Sequence, residues 1–291
     1  MLRWRITLGV LFSVLLAGLC WLDAQASTPG VWLLPLALLI AFLATDELSR
    51  MLAARAPSAL GAVIYLGNVA IVASNWAPQL MPKFALETWT WPALALAGIM
   101  IAALVVEVVR YREPARQTER LALEALGLVY IGLLLSFAVQ MRFAGPQGDW
   151  GLAAIASLIL VVKLCDIGAY TVGRLIGRHK LAPRLSPGKT IEGGFGGVVF
   201  AIFGAWLSLT VLWPAMSRVS PPAVAPWQWL GFGLTVGVAG TIGDLAESLL
   251  KRDLGRKDSS DWMPGFGGVL DLLDSILVGA PVAYFWWHYL L

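Results

Sequence analysis

The sequence predicts an all-α, polytopic integral membrane protein, and three observations carry this prediction. Of the 291 residues, 58% are hydrophobic and only 13% are charged, whereas soluble proteins contain about 25% charged residues. The mean hydropathy is +0.75. The chain also has 14 Trp and 30 Gly, which membranes favour at their interfaces and at close helix contacts. These values argue against a water-soluble globule.

The predicted spans are apolar runs of the length that a bilayer core requires, about 20 residues each. Nine runs qualify, at residues 6–22, 28–45, 59–76, 91–109, 121–139, 150–172, 194–213, 228–249 and 268–290. They leave no room for a sizeable soluble domain. We expect a single membrane domain, with transmembrane scaffold helices over residues 1–145 and a catalytic region over residues 146–291.

Basic residues give the orientation. Most of the 21 Lys and Arg residues fall on the same side as the N-terminus, whereas Lys83, Arg142 and Arg218 fall on the other and Lys163 lies inside a run. Since positive charge is enriched in cytoplasmic loops, the N-terminus is predicted to be cytoplasmic. The net charge of +3 is too small to predict a nucleic-acid partner.

The first run has a second interpretation, as a cleavable secretory signal. Arg3 and Arg5 precede it, and the small-residue pattern Ala24-Gln25-Ala26 follows it. The run from Ile6 to Leu22 is longer than the usual apolar core of a signal, so we favour a membrane span. The two cysteines, Cys20 and Cys165, are too few for a disulfide framework or a Cys-based zinc site.

Charged side chains inside a span cost at least about 2.5 kcal/mol and are therefore functional candidates. In the N-terminal half, the acidic residues lie at helix ends near arginines, which favours simple helix-end pairing and a scaffold role: Asp46, Glu47, Glu107 and Glu124. In the C-terminal half, Lys163 and Asp166 form an i,i+3 pair well inside a run. This pair is either a self-neutralising packing contact or part of a site.

Two further segments carry most of the remaining polar residues. Ser186 to Thr190, Ser-Pro-Gly-Lys-Thr, opens a predicted helix after a basic loop, and its N–H groups, hydroxyls and cation suit a phosphate. The alternative is a basic loop that only marks the cytoplasmic side. The last segment runs from Gly243 to Ser275, where carboxylates on two helical stripes are separated by Pro264 and several glycines. Broken helices at membrane depth line a cavity or are buried in protein. We therefore expect a polar, cytoplasm-facing cavity whose carboxylates hold Mg²⁺. The alternative is ordinary amphipathic helix ends without a metal.

Four ordered stretches in this half form a recognisable pattern. They are Asp166-x-Gly168-Ala169-Tyr170; Gly177 to Pro183; Ser186-Pro187-x-Lys189-Thr190; and Ser248-x2-Lys251-Arg252-x4-Lys257-Asp258-x-Ser260, followed by Pro264, Gly267, Gly268, Asp271 and Asp274. The pattern resembles that of a known family, the phosphatidate cytidylyltransferases or CDP-diacylglycerol synthases. Two positions depart from the family pattern, with Phe266 in place of His and Leu272 in place of Arg. Either these roles are dispensable, or Lys251, Arg252 or Lys257 serves the phosphate, or the chain is an inactive paralogue. A decayed site would be expected to lose its costly carboxylates first, which argues against the last alternative.

The resemblance implies a Mg²⁺-dependent nucleotidyltransferase that transfers CMP from CTP to phosphatidate, giving CDP-diacylglycerol and pyrophosphate in phospholipid biosynthesis. The expected partners are CTP, phosphatidate, membrane lipids and, in a homodimer, a second copy of the chain. The expected location is the inner (cytoplasmic) membrane, with the active site facing the cytoplasm. Open alternatives are another CTP-dependent lipid transferase, a secondary transporter and a non-catalytic scaffold. The chain shows no internal repeat, which disfavours the transporter.

The same resemblance, together with residue chemistry, assigns three sets of side chains. The expected Mg²⁺ ligands are Asp244, Asp271 and Asp274, with Asp166 completing a second cation position for which a monovalent ion is an alternative. The expected catalytic set is Asp244, Lys251, Asp271 and Asp274. The expected substrate-binding set is Ser186, Lys189, Thr190, Ser248, Arg252, Lys257 and Asp258.

Overall fold

The computed structural model describes residues 2–53, 61–81, 83–84, 86–112, 116–256, 258–260 and 267–291. The described residues are helical apart from loops and one short β-hairpin. The chain forms two compact units, Met1–Val139 with Leu254–Leu270, and Gln140–Asp253 with Asp271–Leu291. The proposed functional division at residue 145 remains a prediction.

The first unit contains the N-terminal helices. They are α1 (Leu2–Gln25), α2 (Leu33–Leu52), α3 (Ala62–Ser74), the short α4 (Ala77–Leu80), α5 (Thr90–Arg110) and α6 (Gln117–Gly127), which continues through a π-helical turn at Leu128–Leu133 into α7 (Leu134–Met141). Ile64, Ile71 and Leu128 are fully buried and form its apolar centre. Polar contacts join the same helices, since the Asn68 side chain donates to Thr45 Oγ1 at 2.8 Å and that of Asn75 donates to Ser136 Oγ at 2.8 Å.

The second unit contains the remaining elements. They are a 3₁₀ turn at Pro146–Gly148, α8 (Gly151–Ile176), β1 (Lys180–Ala182), β2 (Ser186–Thr190), α9 (Ile191–Leu207), a π-helical turn at Ser208–Leu212, α10 (Trp213–Met216), α11 (Pro226–Asp253) and α12 (Val269–Tyr289). Helices α8 and α9 approach closely because they meet through glycine. A Cβ atom on Gly168 would lie 2.7 Å from the backbone oxygen of Gly196.

Over the part of the chain that the structure describes, each of the nine predicted apolar runs overlaps a helix, and the chain is an all-α membrane protein. Residues 59 and 60 of the third run lie outside the described residues. Within the described residues, six helices are long and apolar enough to cross a membrane: Thr90–Arg110, Gln117–Met141, Gly151–Ile176, Ile191–Met216, Pro226–Asp253 and Val269–Tyr289. The predicted runs on α1, α2 and α3 are not among these six. Helix α3 has only 13 residues, about 20 Å at 1.5 Å per residue, against a hydrocarbon core of about 30 Å. Spans at these three helices therefore remain predictions.

Helix-end pairing in the N-terminal half is present at two of the predicted places. Arg50 contacts Asp46 at 2.9 Å, and Arg120 contacts Glu107 at 3.6 Å. Glu47, by contrast, is buried and accepts hydrogen bonds from backbone amides. A carboxylate near an arginine at a helix end can therefore either form an ion pair or accept hydrogen bonds from backbone amides.

Candidate active site

Helices α8, α11 and α12 and the β-hairpin of the second unit bring together most of the residues that the sequence singled out. The helices contribute lysines and carboxylates, and the hairpin contributes one lysine. Among the residues that the structure describes, the contacts of these groups form three ion-paired clusters. Their contacts join either elements that are distant in sequence or successive turns of one helix. This concentration of charge within apolar helices marks the candidate site.

Lys251 is the centre of the most buried cluster. Its ammonium lies 2.6 Å from Glu247 Oε2, one turn earlier on α11, and 2.5 Å from Asp271 Oδ1 on α12. The Glu247 side chain is 1% exposed, and those of Lys251 and Asp271 are 12% and 13% exposed. One lysine thus lies between two carboxylates and offsets one of their two negative charges, which would otherwise repel each other strongly in this environment.

The hairpin supplies the second cluster. Strands β1 and β2 pair antiparallel, and Lys189 on β2 lies 2.6 Å from Asp244 Oδ2 on α11. Ser248 donates to the other oxygen of Asp244 at 3.4 Å. The turn of the hairpin is also attached to α11, since Arg252 Nε donates to the Leu185 carbonyl at 3.3 Å. Both ends of β2 are therefore held beside the polar end of α11.

The structure changes the local interpretation of the Ser186–Thr190 stretch. It forms a strand rather than the first turn of a helix. The helix α9 starts immediately after it, and Thr190 is its N-cap, whose Oγ1 accepts from Gly193 N at 3.1 Å. A hydroxyl that satisfies a helix-end amide in this way stabilises the helix start. Thr190 thus has a structural contact in addition to its predicted phosphate contact.

The third cluster lies on α8. Lys163 contacts Asp166 at 3.5 Å, and its ammonium also donates to the backbone carbonyl of Leu272 on α12 at 3.4 Å. Leu272 occupies the position where the family pattern has Arg. A cation therefore reaches the backbone at this position from another helix.

Asp274 on α12 is the remaining carboxylate of the predicted metal-binding set. Asp274 is 8% exposed, and its Oδ1 accepts from the Ser275 amide at 2.5 Å. Glycine makes the helix approach possible, because a Cβ on Gly243 would collide with the Asp274 carbonyl.

The donor set suits a hard cation in its chemistry. Carboxylate oxygens are the groups that Mg²⁺ prefers, and several negative charges favour a divalent ion. In the arrangement described, however, Asp244, Asp271 and Asp166 each contact a lysine. Among the residues that the structure describes, no three His, Cys, Asp or Glu side chains are grouped so as to hold a metal ion. Metal binding therefore remains a prediction.

The comparison with known proteins identifies the family. The sequence profile of the cytidylyltransferase family matches residues 4–290. The chain belongs to the cytidylyltransferase family.

Three similar proteins are phosphatidate cytidylyltransferases. That of Staphylococcus saprophyticus is 32% identical over 257 residues, covering 87% of this chain and 88% of the relative. That of Thermotoga maritima is 32% identical over 193 residues, covering 66% and 68%. That of Bacillus subtilis is 37% identical over 160 residues, covering 55% of each chain.

Not every predicted site residue of this cytidylyltransferase-family chain falls in the three clusters. Lys257, Pro264 and Phe266 lie outside the described residues. Asp258 is exposed and belongs to the segment Leu254–Leu270 of the first unit. Roles for these residues remain predictions.

Two acidic residues of the family member were missing from the predicted site. One is Glu247, which lies one turn before Lys251 on α11, and this i,i+4 spacing is the signal that could have indicated the pair. The other is Glu192. Its carboxylate lies 2.6 Å from His179 Nδ1 and accepts from the backbone amides of Arg178 and His179. It thereby holds the basic loop that leads into the hairpin.

Proposed function

We propose that the chain transfers CMP from CTP to phosphatidate, giving CDP-diacylglycerol and pyrophosphate in phospholipid biosynthesis. Family membership and the activity named for the relatives support this proposal. The observation that carries it is the Lys251 cluster, with Lys189 and Asp244 beside it on α11. Lysines that are already held by carboxylates provide cations for triphosphate oxygens without leaving a bare charge in the apolar region.

The reaction requires positioning and charge neutralisation more than proton transfer. An oxygen of the phosphatidate monoester, already anionic, attacks the α-phosphorus of CTP. The bond from that phosphorus to the oxygen bridging to the β-phosphorus breaks, and pyrophosphate leaves. We assign Lys251 and Arg252 to the departing pyrophosphate, and Ser186, Lys189 and Thr190 to triphosphate oxygens. Such contacts act most strongly where charge develops during the transfer.

Mg²⁺ is part of the proposal. Asp244, Asp271 and Asp274 are the residues that would hold it, and Asp166 would complete a second cation position. The ion would supply neutralisation of the triphosphate charge as the bond to pyrophosphate breaks. The lysines that now contact these carboxylates would then be available to the substrate phosphates.

The membrane arrangement follows from the substrates. CTP arrives from water, whereas the acyl chains of phosphatidate stay in lipid, so the charged clusters belong at a membrane surface. The distribution of Lys and Arg supports the cytoplasmic side. We therefore propose nine spans, a cytoplasmic N-terminus, a cytoplasm-facing cavity and an inner-membrane location, with a homodimer as the assembly.

The full chain, purified in detergent with Mg²⁺, CTP and phosphatidate, is expected to release pyrophosphate and form CDP-diacylglycerol. Diacylglycerol and an isoprenoid phosphate replace phosphatidate in parallel reactions, so that a different lipid acceptor would be recognised. Absence of both products, under conditions in which the Thermotoga maritima relative forms them, would contradict the proposal. If product forms only with another acceptor, that acceptor and not phosphatidate is the lipid substrate.

A further inference from the structure

Glu47 of α2 is a buried carboxylate with an unusual set of partners. Its side chain belongs to the first unit, and the residue is 3% exposed. Its Oε1 accepts from the Val269 amide at 2.8 Å, and its Oε2 accepts from the Leu270 amide at 2.8 Å and from Ser259 Oγ at 3.1 Å. Both oxygens therefore receive hydrogen bonds from a segment more than 200 residues later in the chain.

The two amides are the first two of α12, which begins at Val269. The first four N–H groups of a helix have no acceptor within that helix. A side chain at the N-cap position usually accepts from one of them, and a negative charge is additionally favoured by the helix dipole. Here a carboxylate from a different helix accepts from two of these amides at once. Glu47 thus performs the N-cap function for α12.

Two glycines make this contact possible. Gly267 has φ +82°, in the left-handed region that favours glycine. A Cβ on Gly268 would collide with Ser259 Oγ and with the Glu47 carboxylate. The Gly-Gly pair before α12 therefore allows the backbone to turn and the carboxylate to reach the helix start. These contacts give a physical reason for a glycine pair that is also part of the family resemblance.

The first turn of α12 also carries Asp271, the partner of Lys251 in the candidate site. Val269 and Leu270 are both buried, so water cannot readily replace a lost acceptor for their amides. Without the Glu47 carboxylate, these donors would be satisfied only if the first turn opened. Opening of that turn would remove the backbone of Asp271 from its helical conformation.

We infer that Glu47 is a positioning residue for the transferase reaction, in which its carboxylate keeps the first turn of α12 formed and so orders Asp271. This inference rests on the proposed function. Glu47 itself is not expected to contact a substrate. Its effect on catalysis passes through the backbone of residues 269–271.

The test compares Glu47→Ala and Glu47→Gln with a matched control, Glu107→Gln. Glu107 is also buried in the first unit, at 6% exposure, but it contacts Arg120 rather than the start of α12. Glutamine at position 47 retains one carbonyl oxygen and places an NH₂ group against the remaining donors. Two quantities are measured on the full chain in detergent: deuterium exchange of a peptide covering residues 267–275, and kcat and KM for CTP per folded molecule.

In Glu47→Ala we expect exchange of residues 267–275 to be about tenfold faster, as for a lost cap on a buried helix start. We expect kcat to fall by a similar factor while KM for CTP changes less, because the hairpin contacts of Lys189 do not depend on this turn. Glu47→Gln should lie between Glu47→Ala and wild type in both quantities. Glu107→Gln should match wild type in both. If Glu47→Ala does not fold, the inference is tested with Glu47→Gln alone.

Wild-type exchange in Glu47→Gln would overturn the inference, and so would faster exchange with unchanged kcat. A general loss of stability with no change confined to residues 267–275 would overturn it as well. Failure of the proposed function is a separate outcome. In that case the wild-type chain forms no CDP-diacylglycerol, whereas the exchange measurement still shows whether Glu47 caps α12.

Discussion

Several carboxylates of the first unit and the lysine-bound carboxylates of the second unit have different kinds of partner. In the first unit, Glu47 accepts from backbone amides and Ser259, Asp23 accepts from the amides of Gly30 and Trp32, and Glu107 contacts an arginine. At the candidate site of the second unit, Asp244, Glu247 and Asp271 contact lysines. A backbone amide is fixed in place, whereas a lysine ammonium is a mobile point charge that can exchange one anion for another. We therefore predict that carboxylates bound by the amides of a distant segment hold the fold, whereas lysine-bound carboxylates serve phosphate chemistry.

The largest effect is expected from Asp271→Asn. The change removes a lysine-bound carboxylate from the candidate site but leaves Lys251 paired with Glu247, so the chain should still fold. The rate of CDP-diacylglycerol formation should fall by about 100-fold or more, as for other groups that stabilise charge in a transition state. Initial rates with saturating CTP measure this loss.

The control for Asp271→Asn is Asp46→Asn, which removes a carboxylate from the first unit. Asp46 contacts Arg50, whose side chain is 73% exposed, and such a pair contributes about 0–1 kcal/mol. Its activity should stay close to that of wild type. Equal losses of activity in Asp271→Asn and Asp46→Asn would show that the carboxylates of the two units do not differ in their importance for the reaction.

Lys251→Met should lower stability as well as activity. It leaves Glu247 and Asp271 without their shared cation, and loss of one partner from a buried ion pair costs about 3–5 kcal/mol. Adding Glu247→Gln removes one uncompensated charge, so the double variant should recover part of the thermal stability while remaining inactive. Recovery of activity in the double variant would show that Lys251 serves only the fold.

A smaller effect is expected where α11 and α12 approach each other. In Gly243→Ala the new methyl group would collide with the Asp274 carbonyl, and overpacking of this kind costs about 1–3 kcal/mol. Gly194→Ala on α9 is the matched control, because a Cβ there has no atom within 4 Å. Thermal unfolding in detergent should give a lower melting temperature for Gly243→Ala than for Gly194→Ala. Equal stability would mean that the approach at Gly243 is not tight.

Much of the fold could be predicted because helix positions follow from apolar runs. The boundaries were less accurate where polar residues extend a helix. Helix α11 continues to Asp253, although the apolar run ends near residue 249, since Lys251 and Arg252 are favourable in a last turn. The hairpin was missed because Lys180–Ala182 and Ser186–Thr190 have no apolar alternation.

The site was predictable in part. The contact of Glu247 with Lys251 follows from helical spacing, whereas the contact of Lys189 with Asp244 joins residues that only the tertiary fold brings together. The sequence favours helix-end pairing for Glu47 because its nearest positive charge in sequence is Arg50. Its actual partners, Ser259, Val269 and Leu270, are far away in the chain, and no local pattern indicates them.

The most direct test of CMP transfer to phosphatidate follows the phosphates of CTP. The full chain in detergent receives phosphatidate and Mg²⁺ with CTP labelled either at the α-phosphate or at the γ-phosphate. If CMP is transferred, the α-label enters the lipid and the γ-label is released in pyrophosphate, and Asp271→Asn strongly lowers the rate of both. Entry of the γ-label into the lipid would show phosphoryl transfer instead, and absence of label from the lipid in both reactions would contradict a CTP-dependent transferase.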